Sequence, residues 1–224
     1  MAPLFTGLRL GFGRAEDAGI ILPAIGAAFE GGFFAGTISH TADGVATHAL
    51  IVAPAASGYN GKSTLQWKTS DTSTSGTSSV YDGAANTANM DNASHPAAQY
   101  CAGLTIDGYS DWYMPARYEL DIAYHNLKPS TTSNDTSFGI NDYSVPKRTS
   151  NRTAGNPAQT SVAAFQSGGA EAFETGGAGG LGIHYSSTEF DSTLAWFRVF
   201  VNGDENGTTK TNSRYVRAFR RIAL

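Results

Sequence analysis

The sequence of 224 residues contains a single cysteine, Cys101, and only 15 % of its residues are charged. One cysteine cannot form an internal disulfide, and it excludes the zinc and redox motifs that need several cysteines. The apolar segment 20–29 stops at Glu30 and is too short to cross a bilayer. The first seven residues lack the basic and apolar regions of a secretory signal, so no signal peptide is expected.

The net charge of −4 gives no overall reason to bind nucleic acid or an acidic membrane surface. The segment from Arg198 onwards is nevertheless basic, while the preceding chain is acidic. Two interpretations are open: a binding stripe, or arginines that pair with the protein's own carboxylates. Pairing is favoured for Arg217, Arg220 and Arg221, because guanidinium groups bind carboxylates bidentately.

The residues that are abundant, 26 Gly with 12 Phe, 10 Tyr and 3 Trp, predict a rigid, loop-rich and mostly β protein. An Asp43-Gly44 turn between two apolar runs is a strong hairpin signal. The pattern predicts strands at 4–12, 32–38, 47–53, 65–68, 182–187, 194–201 and 215–222, helices at 82–92, 96–101, 115–127 and 157–165, a long polar loop at 128–156 and a glycine hinge at 176–182. Residues 1–30 form an apolar arm that packs on the domain or on a neighbouring chain.

Catalytic motifs are absent from the sequence. The five histidines lack metal-ligand spacing. The glycine run 176–180 lacks the Lys-Ser/Thr of a phosphate-binding loop, and there is no G-x-S-x-G nucleophile motif. The segment 134–142 has many oxygen groups but no calcium-loop spacing, which favours a solvated loop. The sequence therefore predicts a protein that is not an enzyme and that uses no cofactor or metal.

Five sequence blocks occur in a fixed order along 83–224. They are G-Y-S-D-W-Y-M-P-A-R-Y-E-L at 108–120, H-Y-S-S-T-E at 184–189, A-W-F at 195–197, N-G at 202–203 and Y-V-R-A-F-R-R at 215–221. This series resembles the Lcl carboxyl-terminal-domain family, whose fold is C-type-lectin-like and related to formylglycine-generating enzymes. Tyr113-Met114 stands where the family has Arg-Leu, and His184-Tyr185 where Tyr-Trp is usual. Segments 64–68 and 94–101 are similar to versions found in phage structural proteins.

The resemblance implies an α+β fold: a C-type-lectin-like domain over 31–224, with short antiparallel sheets, a few short helices and long loops, plus the arm at 1–30. Formylglycine chemistry needs more cysteines than Cys101 alone, so that activity is not expected. We expect the block residues to be scaffold: Asp111, Trp112, Pro115, Glu119, Tyr185, Ser186, Ser187, Glu189, Arg217 and Arg220. Asp111 and Glu119 are expected to accept hydrogen bonds from backbone amides or from the two arginines.

Ligand binding is expected on the carboxyl-terminal hairpin and on the loop 128–156, because aromatic side chains among adaptable polar groups are typical of binding surfaces. In lectin-like folds this region is where ligand-contacting variation accumulates. The predicted ligand-binding residues are Trp196, Arg198, Asn202, Asp204, Asn206, Thr208, Lys210, Asn212 and Arg214. The alternative is that half of the residues of this hairpin, including Trp196 and Phe200, face the core.

These observations together predict a phage virion protein that displays a lectin-like domain and adheres to a host surface, with glycans as the favoured ligand. Residues 1–30 are expected to bind other virion proteins or to build a homo-oligomer, with a trimer favoured. One alternative is capsid decoration or a fibre cap with no specific ligand. The other is a bacterial surface adhesin.

Overall fold

The structure, a computed structural model, describes residues 20–177 and 181–224. The predicted strand 4–12 and most of the predicted arm lie outside the described residues, as do residues 178–180 of the predicted glycine hinge. None of the helices in these two ranges is long and apolar enough to cross a membrane.

Short elements joined by long loops make up the described chain. The strands are β1 (Ala28–Phe29), β2 (Gly32–Ile38), β3 (His48–Val52), β4 (Leu65–Gln66), β5 (Ser144–Val145), β6 (Ile183–Glu189), β7 (Leu194–Val199), β8 (Glu205–Thr209), β9 (Ser213–Arg214) and β10 (Phe219–Ala223). The α-helices are α1 (Ala55–Gly58), α2 (Gly83–Ala88), α3 (Pro96–Ala102) and α4 (Arg117–Leu127), and single 3-10 turns lie at Asn60–Lys62 and Ala163–Phe165.

The strands form three antiparallel sheets, so the predicted α+β class with short antiparallel sheets is confirmed. The first sheet has the order β1-β2-β3-β10, and β5 also pairs with β2. The second has the order β6-β7-β8, and the third is the pair β4-β9. The β2–β3 hairpin turns at the predicted Asp43-Gly44 region.

Two hydrophobic clusters lie on opposite faces of the first sheet, because side chains alternate along β3. Leu50 and Val52 belong to the cluster that includes α4, whose Leu120, Tyr124 and Leu127 share one face as the sequence predicts. Ile51 and the following Ala53 belong to the second cluster. That cluster is completed by Trp67, Met90, Ala97, Ala98, Cys101, Trp112, Met114, Tyr185, Ala195, Val216 and Ala218.

The predicted elements at 157–165 and 215–222 are wrong in extent. Only Ala163–Phe165 is helical, as one 3-10 turn, because the Thr160 amide donates to the Lys128 carbonyl instead of to its own segment. The last strand begins at Phe219 rather than at 215. The Arg217 side chain turns inward to the carbonyl oxygens of Ala53 and Glu171, which makes this stretch buried and irregular.

The interpretation of 134–142 as a solvated loop is wrong at two positions. Asn134 is buried and its amide donates to carbonyls at 153, 154 and 157. Asn141 is fully buried and donates to the Tyr118 carbonyl and the Asp121 carboxylate. The long loop is therefore packed against α4. The end of the predicted arm is also part of the domain, since Ala28 and Phe29 pair with β2.

Candidate binding surface

The predicted ligand-binding residues lie along the segment 194–214, called here the terminal ribbon. It consists of β7, a turn, β8 and β9. Phe197 lies opposite Asn206, and Ala195 opposite Thr208, whereas Trp196 lies opposite Gly207. Directly opposed residues share a face of the sheet, and successive residues alternate between faces. The predicted residues are therefore divided between two faces and do not form one surface.

One group of four predicted residues is brought together on the face that carries Phe197. Asn206 and Asn212 are exposed, while Thr208 and Arg214 are half-buried. The Asn212 amide donates to Thr208 Oγ1 at 3.3 Å, and Arg214 Nη2 lies 3.5 Å from the same oxygen. We call Asn206, Thr208, Asn212 and Arg214 the amide face. It combines amide, hydroxyl and guanidinium groups beside a half-buried aromatic ring.

Trp196 lies on the opposite face and is half-buried. The guanidinium carbon of Arg117 is 3.7 Å from the centre of its ring system. On another side, the Phe190 ring lies 4.5 Å from it, and Phe190 is 40 % exposed. Trp196 is thus held by a cation–π contact and an aromatic contact. It does not contribute to the amide face.

The prediction that Arg198 contacts a ligand is wrong, because its side chain is only 2 % exposed. It forms ion pairs with Glu205 and with Asp121 of α4, the second at 3.1 Å. Its Nη1 also donates to the Gly203 carbonyl at 2.9 Å. Arg117 binds the same Glu205 carboxylate through Nε and Nη2. Arg198 therefore fixes the turn of the ribbon to α4.

Lys210 is the second wrong ligand prediction, since its side chain is fully buried. Its ammonium group pairs with Glu189 and donates to the carbonyls of Thr72, Asp191 and Ser192. Three donors shared among these oxygens satisfy the charge without water. Lys210 therefore anchors the turn between β8 and β9 from the interior of the protein.

Asn202 and Asp204 form the tip of the ribbon, where it meets the long loop. The Asp204 amide donates to Asn202 Oδ1, and the Asp135 amide donates to the Asn202 carbonyl at 2.9 Å. Burial and the nearby Asp135 raise the pKa of Asp204. These two residues are half-buried and contribute to the turn more than to an open surface.

The block residues at 108–120 form internal contacts. Glu119 is fully buried and accepts hydrogen bonds from the amides of Gly83 and Ala116 and from the Tyr113 hydroxyl, at 2.7–3.1 Å. Asp111 is more exposed and accepts from Arg220 Nε at 2.8 Å. The indole of Trp112, a buried side chain, donates to the Tyr109 carbonyl. Pro115 accepts from the Ser187 amide through its carbonyl.

The later blocks hold the ribbon itself. The Tyr185 hydroxyl contacts the carbonyls of Thr209 and Asn212, at 2.6 and 3.0 Å. Ser186 Oγ donates to the Trp196 carbonyl, and Ser187 Oγ accepts from the Asn86 amide. Glu189 pairs with Lys210. Tyr185, Ser186 and Glu189 therefore position the ribbon, whereas the Ser187 side chain joins β6 to α2.

The cations of the basic carboxyl-terminal segment pair mostly with the protein's own carboxylates, as expected for the last three. Arg217 pairs with Glu171, Arg220 with Asp111 and Glu30, and Arg221 with Asp82. Arg214 differs: within residues 20–177 and 181–224 no carboxylate oxygen lies within 4.0 Å of its side chain. Its buried Nε has no hydrogen-bond partner among the described residues. Its Nη1 donates to the Ser213 carbonyl at 3.1 Å.

Titratable side chains elsewhere are held in structural positions. His184 is buried, donates from Nδ1 to the Gly182 carbonyl and accepts at Nε2 from Tyr59. Burial lowers the pKa of His184 to about 3 and raises the pKa of the Cys101 thiol. In the part of the chain that the structure describes, no three His, Cys, Asp or Glu residues are grouped to hold a metal ion.

Sequence reasoning missed Arg117, Phe190 and the ion-pair network around Asp121. Arg117 stands inside the first block at a position read as part of a helix. Asp121 follows Leu120 on α4 and is almost fully buried, with Arg148, Arg152 and Arg198 around it. The unusual length of the loop 128–156 was the available signal, since it indicates a segment with a function of its own.

A scan of the sequence against protein-family models finds no matching family. A search among curated proteins finds no matching relative.

Proposed function

We propose that this chain is a non-catalytic binding protein of a phage particle, and that the amide face of its terminal ribbon adheres to glycans on a host surface. The observation that carries the proposal is the grouping of Asn206, Thr208, Asn212 and Arg214 on one face beside Phe197. Amide, hydroxyl and guanidinium groups beside an aromatic ring suit the hydroxyls and apolar patches of sugars.

Rigidity supports the same proposal. The ribbon is anchored to the interior of the protein by three buried side chains, those of Arg198, Lys210 and Tyr185. A surface that is ordered before binding loses less conformational entropy on association than a flexible one. The exposed side chains of the amide face are therefore ordered before binding, which favours their contact with another molecule. Placement on a virion is supported by the resemblance of segments 64–68 and 94–101 to versions of this domain found in phage structural proteins.

Binding of the purified full chain to a glycan array tests the proposal. We expect selective binding, and we expect Arg214→Gln to weaken it by about tenfold, the effect of losing one charge-assisted hydrogen bond. Asn206→Ala is expected to weaken it by about threefold to tenfold, the effect of losing one neutral hydrogen bond. Asn89→Ala is the matched control, because Asn89 is an exposed asparagine at the end of α2 and is expected to leave binding unchanged.

A second measurement addresses location. We expect a mass-spectrometric inventory of purified phage particles to contain this chain in fixed stoichiometry. Its presence in particles together with silence on the array would favour capsid decoration without a ligand. Its absence from particles together with recovery from the bacterial surface would favour an adhesin.

A further inference from the structure

A polar cavity of about 280 Å³ lies within the long loop, away from the amide face. It is lined by His125, Gly139, Lys147, Arg148, Thr149, Ser150, Asn151, Arg152 and Asn156. The volume is just under the ~300–1,000 Å³ range of small-molecule sites, so it suits a single small group.

Among the residues that the structure describes, three cationic side chains and no carboxylate line this cavity. Lys147 is exposed and, within the described ranges, forms no ion pair. Arg148 uses Nη2 for Asp121 and Nε for the Gly139 carbonyl, and no described residue accepts a hydrogen bond from its Nη1. The free donors therefore point to an anionic ligand.

Buried arginines beneath the cavity add positive charge. Arg148, Arg152 and Arg198 all pair with the carboxylate of Asp121, and Arg198 also pairs with Glu205. The Arg152 side chain is only 1 % exposed, and among the described residues neither its buried Nε nor the buried Nδ1 of His125 has a hydrogen-bond partner. Burial and repulsion from the neighbouring arginines lower the pKa values of Arg148 and Arg152. Glu205 and Asp135 lie near Arg152 as partial counter-charges but do not line the cavity.

Hydroxyl and amide groups stand beside the cations. Thr149 and Ser150 are exposed, and within the described ranges their hydroxyls form no hydrogen bond; Asn151 and Asn156 complete the polar wall. A bare inorganic anion is bound by the cationic side chains alone and leaves the neutral polar groups unused. A sugar that carries an anionic group uses the cations and these neutral groups together.

We infer that this cavity binds the oxyanion of an acidic sugar, a carboxylate or a phosphate, with Lys147 and Arg148 as its direct ligands. The inference rests on the proposed function in taking a glycan as the ligand, and it adds the charge class of that glycan and a second contact site. Arg152 is a positioning residue, because it acts through Asp121 and through its buried charge.

Isothermal titration of the full chain with four probes tests the inference: glucuronate, glucose 6-phosphate, glucose and inorganic phosphate. We expect the two acidic sugars to bind, glucose not to bind, and phosphate to bind more weakly than glucose 6-phosphate. Lys147→Ala and Arg148→Lys are expected to weaken acidic-sugar binding by about threefold to tenfold, the latter because an ammonium lacks the planar fork of guanidinium. Lys62→Ala, a matched lysine that lines a different cavity, is expected to have no effect.

Arg148→Lys keeps the positive charge beside Asp121, so it remains informative about binding where a larger change would unfold the protein. The inference is overturned if neither acidic sugar binds, if both variants bind like the unmodified chain, or if inorganic phosphate binds as tightly as glucose 6-phosphate. Glycan-array binding that depends on Arg214 but not on Lys147 would overturn this inference alone. Acidic-sugar binding that depends on Lys147, with Arg214→Gln and Asn206→Ala without effect on the array, would overturn only the proposed role of the amide face.

Discussion

Arg198 and Glu205 lie opposite each other in the register of β7 and β8, and their side chains form an ion pair that is almost fully buried. Asp121 on α4 and Arg117 at its start extend this pair into a network that joins the helix to the ribbon. The network links residues far apart in sequence, and it fixes the turn of the ribbon to α4.

Removing one partner of this pair is expected to destabilise the fold strongly. Glu205→Ala leaves Arg198 and Arg117 with one carboxylate fewer in a buried site, and we expect a loss of about 3–5 kcal/mol in the free energy of unfolding. Asn206→Ala, at the exposed neighbouring position, should change it by less than about 0.5 kcal/mol. Urea denaturation measures both values. Equal effects of the two substitutions would contradict the buried network.

Lys210 and Arg214 are expected to differ in kind although they are close in sequence. Lys210→Met removes the buried partner of Glu189 and is expected to lower the free energy of unfolding by about 3 kcal/mol. Arg214→Gln is expected to lower it by less than about 1 kcal/mol and to weaken glycan binding. Thermal unfolding and array binding, measured side by side, separate the two effects. A loss of binding without a loss of stability in Lys210→Met would contradict this assignment.

Gly203 is expected to tolerate no side chain. Its φ is +79°, and a Cβ there would overlap the Tyr124 ring. We expect Gly203→Ala to cost about 2–4 kcal/mol, from left-handed strain and overpacking. Gly61 has a φ of +58°, and no atom lies within 4 Å of a Cβ added there. Gly61→Ala therefore measures the left-handed strain alone, which we expect to lower the free energy of unfolding by about 1 kcal/mol. Gly155→Ala has neither feature and should be near neutral. Denaturant unfolding that gives all three the same cost would refute the overlap.

Mild acid is expected to destabilise the protein through three histidines that are buried or half-buried. Burial lowers the pKa values of His40 and His95 to about 4 and that of His184 to about 3. The unfolded chain binds protons at these histidines below their ordinary pKa of about 6.5 while the folded chain does not, so stability is lost as the pH falls below that value. Burial of Glu119 raises its pKa to about 7 and acts in the opposite direction down to about pH 4.5.

With three histidines against one glutamate, we expect a net loss of about 2–3 kcal/mol per pH unit between pH 6 and 5. Urea denaturation at several pH values measures this slope. Glu119→Gln is expected to steepen it and His184→Gln to flatten it. Stability that increases from pH 6 to pH 5 would contradict the buried neutral state of the histidines.

Local signals in the sequence were sufficient for the β2–β3 hairpin and for α4, because a turn dipeptide and an apolar i, i+4, i+7 pattern describe them fully. β8 was missed because Glu205-Asn206-Gly207-Thr208-Thr209 has no apolar alternation. It pairs with β7 through backbone hydrogen bonds and through the ion pair of Arg198 and Glu205. The polar ribbon stands out in the sequence, but the alternation of side chains along a strand divides its residues between two faces. Arg198 and Lys210 are buried because they pair with the carboxylates of Asp121 and Glu189. The spacing of these residues in the sequence does not indicate that they meet in the fold.

The first sheet is completed by β10, which comes from the last residues of the chain and pairs with β3 near its beginning. During synthesis, β3 lacks this partner until the residues of β10 have been translated. A fragment that starts at the first resembling block would carry β10 without β3. Truncations that remove β10 therefore disrupt the first sheet, and any fragment chosen for expression has to contain both strands.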